Sequence, residues 1–190
     1  MYSLKNVFVI YGPSGSGQDS VIEGLQKILP LERVVTTTTR PMRPTESQGN
    51  PYYFVSKEEF EKNIREGKML EQVQKYDGVY YGVTEKDLAR VASGKRIGIW
   101  KVDFEGARNL KKRFPELMVL YISASLEILE QRIRRRDNPS EEYIQTRLKH
   151  IKEWTPKSIY DYKIENEQGK LEETIEKTRA IIQKHAHLAC

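Results

Sequence analysis

Apolar β-branched runs alternate with helical periodicities along this chain. Val7-Phe8-Val9-Ile10-Tyr11 is the first run. An unbroken apolar stretch of this kind predicts a strand buried on both faces of a sheet. Val21, Ile22, Leu25, Ile28 and Leu29 follow at helical spacing, predicting a helix over 19–29. Further strands are predicted at 33–37, 53–55, 97–102, 117–123 and 162–165, and further helices at 56–67, 84–93, 104–114, 126–135, 140–154 and 171–187. Ser56 with Glu59 three residues on forms a capping box, and Thr84 is an N-cap. Strands at 69–76 and 79–81 flank Asp77-Gly78, a hairpin signal. The polar segment 38–51, with Pro41, Pro44 and Gly49, predicts an extended loop.

Strands alternating with helices imply an α/β fold: a parallel sheet flanked by helices on both faces. At 190 residues the chain forms one domain, 1–190, long enough for a real core. Its core is expected from 1–37, 94–133 and 156–190, with a small mixed α/β insert at 38–93 and a helical lid at 134–155. There is no internal repeat and no low-complexity segment.

Between the first strand and the first helix lies Gly12-Pro13-Ser14-Gly15-Ser16-Gly17-Gln18-Asp19-Ser20. Strand, glycine-rich turn and helix start make the layout of a phosphate-binding loop. Glycines let successive N–H groups curl toward one point, and the helix adds its positive end. The bland alternative is a tight strand-to-helix turn. The usual motif ends in Lys and then Ser or Thr; here those positions hold Gln18 and Asp19. The loop is kept and its cation is missing.

Charged residues make up 31% of the chain, with a net charge of +5, which suits a protein that handles anions. Nucleic acid is the generic partner of such a chain, but a nucleotide accounts for the charge equally well if arginines converge on a pocket. Cys190 is the only cysteine, which excludes an internal disulfide and favours an intracellular, cytoplasmic site. No apolar run approaches the roughly 18 residues of a membrane span. Residues 1–6 run directly into a strand and leave no room for a signal peptide.

At Thr39-Arg40-Pro41-Met42-Arg43-Pro44 the chain resembles guanylate kinases, which transfer phosphate from ATP to GMP. The resemblance runs through nearly the whole length, including the loop, Glu71, Tyr80-Tyr81-Gly82, Asp103 to Gly106, Arg136, Arg147 and Asn166. It implies a P-loop NTPase core with a GMP-binding insert, acting on ATP and GMP with Mg²⁺ as cofactor. Partners would be these nucleotides, without nucleic acid or membrane, and the enzyme a monomer or homodimer. Gly12, Ser14, Gly15, Ser16, Gly17, Gln18, Asp19, Ser20 and Asn166 would bind ATP. Thr36, Arg40, Arg43, Tyr52, Glu71, Tyr81 and Asp103 would bind GMP. Arg136 and Arg147 would close on the ATP phosphates, with Asp103 near metal or acceptor.

These roles fit the residues' own chemistry. Arginine presents a planar fork that matches phosphate oxygens, and Arg40 and Arg43 stand three apart on a proline-flanked loop. Guanine offers N1–H and an exocyclic amine side by side, which one carboxylate accepts together and adenine does not match. The plain alternatives are solvated surface arginines, a water-facing Glu71 and a turn residue at Asn166. His185 and His187 read as a tail, since no third metal ligand is suggested by spacing.

Three departures from the family pattern stand out. Gln18 and Asp19 replace the loop Lys and the Mg²⁺-binding hydroxyl, Lys101 stands where a first acidic residue is usual, and Val83 replaces a base-contacting Ser or Thr. Lys101 is expected to bring its ammonium to the β- and γ-phosphates from the sheet side. Asp19 could then serve as a hard oxygen ligand for Mg²⁺. The alternative is that Lys101 merely pairs with Asp19 or Asp103. Two other functions compete: a binding module of the kind found in scaffold proteins, and a kinase of another acceptor such as a ribose bisphosphate. The second is suggested by Asp19-Ser20 and Tyr80-Tyr81-Gly82-Val83.

Overall fold

The computed structural model describes residues 3–44, 46–74, 78–135, 140–155 and 159–187, the side chains of 71–74 excepted. Five strands form a parallel sheet in the order β2-β7-β1-β8-β9. They are β1 (Val7–Tyr11), β2 (Leu31–Arg33), β7 (Ile97–Lys101), β8 (Met118–Ser123) and β9 (Tyr162–Glu165). Every residue of β1 is buried, as its unbroken apolar run requires. Alternate side chains go to opposite faces. Val7, Val9 and Tyr11 join Trp100, Val119 and Tyr121 under α3 (Glu85–Ala92) and α4 (Phe104–Arg113). Phe8 and Ile10 join Ile97, Ile99, Leu120 and Ile122 under α1 (Gln18–Ile28) and α7 (Leu171–His185).

A second sheet, β4-β3-β6-β5, is built from β3 (Thr36–Thr38), β4 (Tyr52–Phe54), β5 (Met69–Gln74) and β6 (Tyr80–Thr84). It is mixed, with β3 parallel to β4 and antiparallel to β6. The single strand expected at 33–37 is therefore two. Arg33 still pairs with Ile99 in the core sheet, whereas Thr36 pairs with Tyr52 in the second. Between them, Val35 N–H donates to the buried Asp87 carboxylate at 2.7 Å, outside either sheet. Periodicity cannot show this break, because the residues on both sides are strand formers.

Helix α2 (Lys57–Arg65) starts at Ser56, whose hydroxyl accepts from Glu59 N–H at 3.1 Å, as the capping pattern predicts. Thr84 caps α3 in the same way, accepting from Asp87 N–H. Helices α5 (Leu126–Arg135) and α6 (Glu141–Trp154) pack through Leu129, Ile133, Ile144, Leu148 and Ile151. Arg134 also bridges Glu130 on α5 and Glu141 on α6. The expected break at 137–139 and the hairpin tip at 75–77 lie outside the described residues. Among those that are described, no helix is long and apolar enough to cross a membrane.

The chain enters the loop after β1 with no room to spare. A Cβ on Gly12 would lie 2.1 Å from the carbonyl oxygen of Ile122 in β8. Backbone cannot swing aside as a side chain can, so Gly12→Ala should destabilise the fold by about 3 kcal/mol, the upper end for overpacking. Thermal unfolding should show a Tm lower by about 9 °C, given roughly 3 °C per kcal/mol in a chain of this size. An unchanged Tm would mean that the loop can relax away from β8.

Candidate active site

The loop sits at the carboxyl edge of the parallel sheet, where ligands of such folds bind. Gly15 and Gly17 adopt φ of 85° and 87°, the left-handed conformation glycine reaches at no steric cost. Neighbours occupy the loop's carbonyl oxygens. Arg132 Nη1 donates to Gly15 O at 3.2 Å, and Asn166 Nδ2 to Ser16 O at 2.8 Å. Gln18 Nε2 donates to Gly12 O at 2.7 Å. Helix α1 has no side-chain cap at Gly17, and Gly17, Gln18, Asp19 and Ser20 line the cleft. The unsatisfied N–H groups of a helix start favour an anion there.

Two cations from the sheet, Lys101 and Arg33, meet the loop at Asp19. Lys101 ends β7, in register with Ile10 of β1. Its Nζ lies 2.8 and 2.6 Å from the two carboxylate oxygens of Asp19, in the first turn of α1. Arg33, at the end of β2, reaches the same carboxylate at 3.4 Å. Burial alone would raise the Asp19 carboxyl. The Lys101 charge and hydrogen bond, with Arg33 behind them, outweigh it and hold the group below its ordinary 3.8. Its contribution to stability is therefore fully present above about pH 4 and is lost as pH falls through the lowered value. Acid unfolding of Asp19→Asn should accordingly show a shallower pH dependence below pH 4; an identical acid limb would mean that the ion pair adds nothing.

The cleft encloses about 760 Å³. Gly12, Ser14, Gly15, Gly17, Gln18, Asp19 and Ser20 line it from the loop, Lys101 and Asp103 from the β7 end, and Arg147 from α6. Thr36, Tyr52 and Tyr81 line it from the insert. Asp103 also caps α4, accepting from Gly106 N–H at 2.8 Å. Phe104, Trp154 and His150 form a continuous stack along one wall, with ring centres 5.5 and 5.1 Å apart.

Ser16 is fully buried within the loop and Asn166 lies beneath it, so neither of these expected ATP contacts lines the cleft. The adenine contact implied for Asn166 has no opening to the cleft: the side chain is 3% exposed, and its amide is committed to Ser16 O and the Thr174 hydroxyl. It braces the loop. Arg40 and Arg43 are not among the residues lining this cleft. Arg40 Nη2 donates to both Glu46 carboxylate oxygens, at 2.7 and 2.9 Å, and the guanidinium lies 5.5 Å from the Tyr52 ring centre. The second Glu46 oxygen also accepts from Arg43 N–H at 2.8 Å. Burial, then the nearby Asp19 charge, raises the Tyr52 phenol above its usual 10.0. Val83 is fully buried, and the Thr84 hydroxyl is used as a helix cap, so neither supplies the missing base contact. The Glu71 side chain and Arg136 lie outside the described residues; the Glu71 backbone pairs with Val83.

Sequence reasoning gave no role to Arg33, Glu46 or Arg132 as a loop brace. The one available signal was Asp19 itself, since a carboxylate inside a phosphate loop needs cations around it.

The loop's helix start favours an anion, and the insert across the cleft adds a second polar-lined wall. Together they define a phosphate-loop α/β fold with its cleft at the carboxyl edge of the parallel sheet. A family model described as guanylate kinase matches residues 4–185. The chain is 37% identical over 179 residues to the guanylate kinase of Symbiobacterium thermophilum, covering 93% of this chain and 83% of that one. It is 41% identical over 150 residues to that of Nostoc sp., covering 77% and 74%. The crystal structure of guanylate kinase from Anaplasma phagocytophilum superposes with a TM-score of 0.68 at 27% identity, covering 94% and 85%. This chain belongs to the guanylate kinase family, and it is an enzyme of the transferase class.

Proposed function

We propose that the chain transfers the γ-phosphoryl group of ATP to GMP, giving ADP and GDP, with Lys101 as the cation of its phosphate loop. The observation that carries this reading is the Lys101 ammonium at 2.6 Å from Asp19, on the loop side of the sheet and lining the cleft. Gln18 cannot supply that charge, because its neutral amide is spent on Gly12 O.

An oxygen of the GMP phosphate attacks the γ-phosphorus, the bond to the β–γ bridging oxygen breaks, and ADP leaves with that electron pair. Such transfer depends on alignment and on cations along the reacting line. Arg40, Arg43, Tyr52 and Tyr81 hold the acceptor phosphate, Glu71 and Thr36 read guanine, and Arg136 and Arg147 close over the donor phosphates. Asp103 stands near the acceptor. Asp19 would be the protein ligand of Mg²⁺, helped by the neighbouring Ser20. Both line the cleft and offer hard oxygens, and Mg²⁺ bound with nucleotide needs only one or two protein ligands. When bound, it would neutralise phosphate charge. The enzyme is taken as cytoplasmic, monomeric or homodimeric, acting on free nucleotides and not on nucleic acid or membrane.

One observation favours a second reading. Lys101 is fully engaged by Asp19, which fits a binding module whose catalytic charge has been cancelled. A coupled ADP-release assay offering ATP with GMP, AMP, dGMP or ribose 1,5-bisphosphate separates the possibilities. Turnover greatest with GMP supports the first reading. Turnover only with the ribose bisphosphate replaces it with a sugar-phosphate kinase, and no turnover with any acceptor supports the binding module.

A further inference from the structure

We propose that Arg33 is a further catalytic residue, one that contacts the transferring phosphoryl group from the seam between core and insert. The inference rests on the phosphotransfer reading above. Its first support is charge. Asp19 carries one negative charge against the positive charges of Lys101 and Arg33, so Lys101 alone would leave this edge of the loop neutral. Arg33 leaves one net positive charge where the incoming phosphates are strongly negative.

The second support is position. Arg33 stands where the phosphate loop and the insert face the same cleft. It touches Asp19 on the loop, and it lines the cleft together with Thr36 and Tyr52 of the insert. Tyr52 lines the same cleft as Arg33 and Asp19, and its ring centre lies 5.5 Å from the Arg40 guanidinium.

The third is rigidity of the backbone beneath a loosely held side chain. Arg33 is in register with Ile99, and the next residue, Val34, donates its N–H to Ile99 O at 2.9 Å. Arg90 Nη2 donates to Arg33 O at 3.1 Å, and Arg90 is itself held by Asp87 and Glu32. The guanidinium, by contrast, meets Asp19 at only 3.4 Å, and the carboxylate is 49% exposed. An ion pair of that kind adds little to stability. The side chain can exchange Asp19 for a phosphate oxygen while its anchor stays fixed. Its planar fork can then bridge oxygens of both phosphates as the bond to the attacking oxygen forms and the bond to ADP breaks.

The test compares wild type, Arg33→Met and Arg33→Lys in the coupled assay, by thermal unfolding, and by titration with a bisubstrate analogue in which five phosphates join adenosine to guanosine. Arg33→Met should lower kcat about 100-fold, as removal of one charge-stabilising donor does, with Tm unchanged. Its affinity for the bisubstrate should fall about 100-fold while ATP and GMP singly bind within about threefold. Arg33→Lys should recover part of both losses. Unchanged kcat and bisubstrate affinity in Arg33→Met would overturn the proposal, as would a Tm loss that Arg33→Lys repairs without restoring either. A wild type without turnover would sink the phosphotransfer reading, and the bisubstrate titration would still decide on Arg33.

Discussion

Lys101→Met is expected to lower kcat for GMP phosphorylation by about 1,000-fold while leaving the dissociation constant of GMP within about threefold. Relative to the usual loop, Gln18 removes a positive charge and Asp19 adds a negative one. Without Lys101 the loop would present a carboxylate to a triphosphate, with only Arg33 beside it. Met keeps the length and apolar stem of Lys, and Lys101 is the last residue of a strand whose other members are all buried. The fold should therefore survive the change, and GMP should still bind through the insert residues proposed to hold it. Gln18→Lys should partly rescue the mutant, because a lysine at that position returns the charge to the usual side of the loop. Single-turnover measurements would separate transfer from product release. Normal turnover in Lys101→Met would show that the Lys101–Asp19 pair is only structural.

Much of the core was legible in advance because its signals are local. The run 7–11 could only be a strand buried on both faces, and the Ser56 and Thr84 caps marked helix starts to the residue. At the site, the sequence leaves two readings of Lys101 open, a cation for the phosphates or an ion-pair partner of Asp19 or Asp103, and the structure brings Lys101 to Asp19. What stayed hidden depends on long-range geometry. The division of 33–37 between two sheets follows from Asp87, more than fifty residues away in sequence, taking the N–H of Val35. Arg33 looked like an ordinary strand residue because its partner lies on another element. Asn166 has the composition of a base-contacting loop residue, and only the packing of Thr174 and Ser16 shows its amide consumed. Glu46 lies in a segment whose polarity predicts only a loop, and both its carboxylate oxygens accept from Arg40 Nη2.

Glu71→Gln should collapse the preference for GMP over AMP, lowering kcat/KM for GMP by about 100-fold or more while the KM for ATP changes by less than about threefold. A carboxylate offers two acceptors to the two adjacent donors of guanine, whereas an amide offers one acceptor and one donor. The mismatch leaves a polar pair opposed in a closed site, which is where wrong pairing costs most. Among the described residues of β6 and its end, the hydroxyls that could read the base are few. Val83, paired with Glu71 across the β5–β6 ladder, is buried in the core and has no hydroxyl. The hydroxyl of Thr84 is already accepting from Asp87 N–H. Thr36 remains, on β3 along the other side of β6 from Glu71 and lining the cleft. Selectivity is thus concentrated in fewer groups than the usual pattern provides, and losing one should be felt more sharply. Thr36→Val should lower the same ratio by a smaller factor, about tenfold, because one hydroxyl supplies one hydrogen bond. Steady-state kinetics with GMP and AMP as alternative acceptors provide the check. An unchanged GMP-to-AMP ratio in Glu71→Gln would remove Glu71 from the base site and leave guanine recognition to backbone groups of the insert.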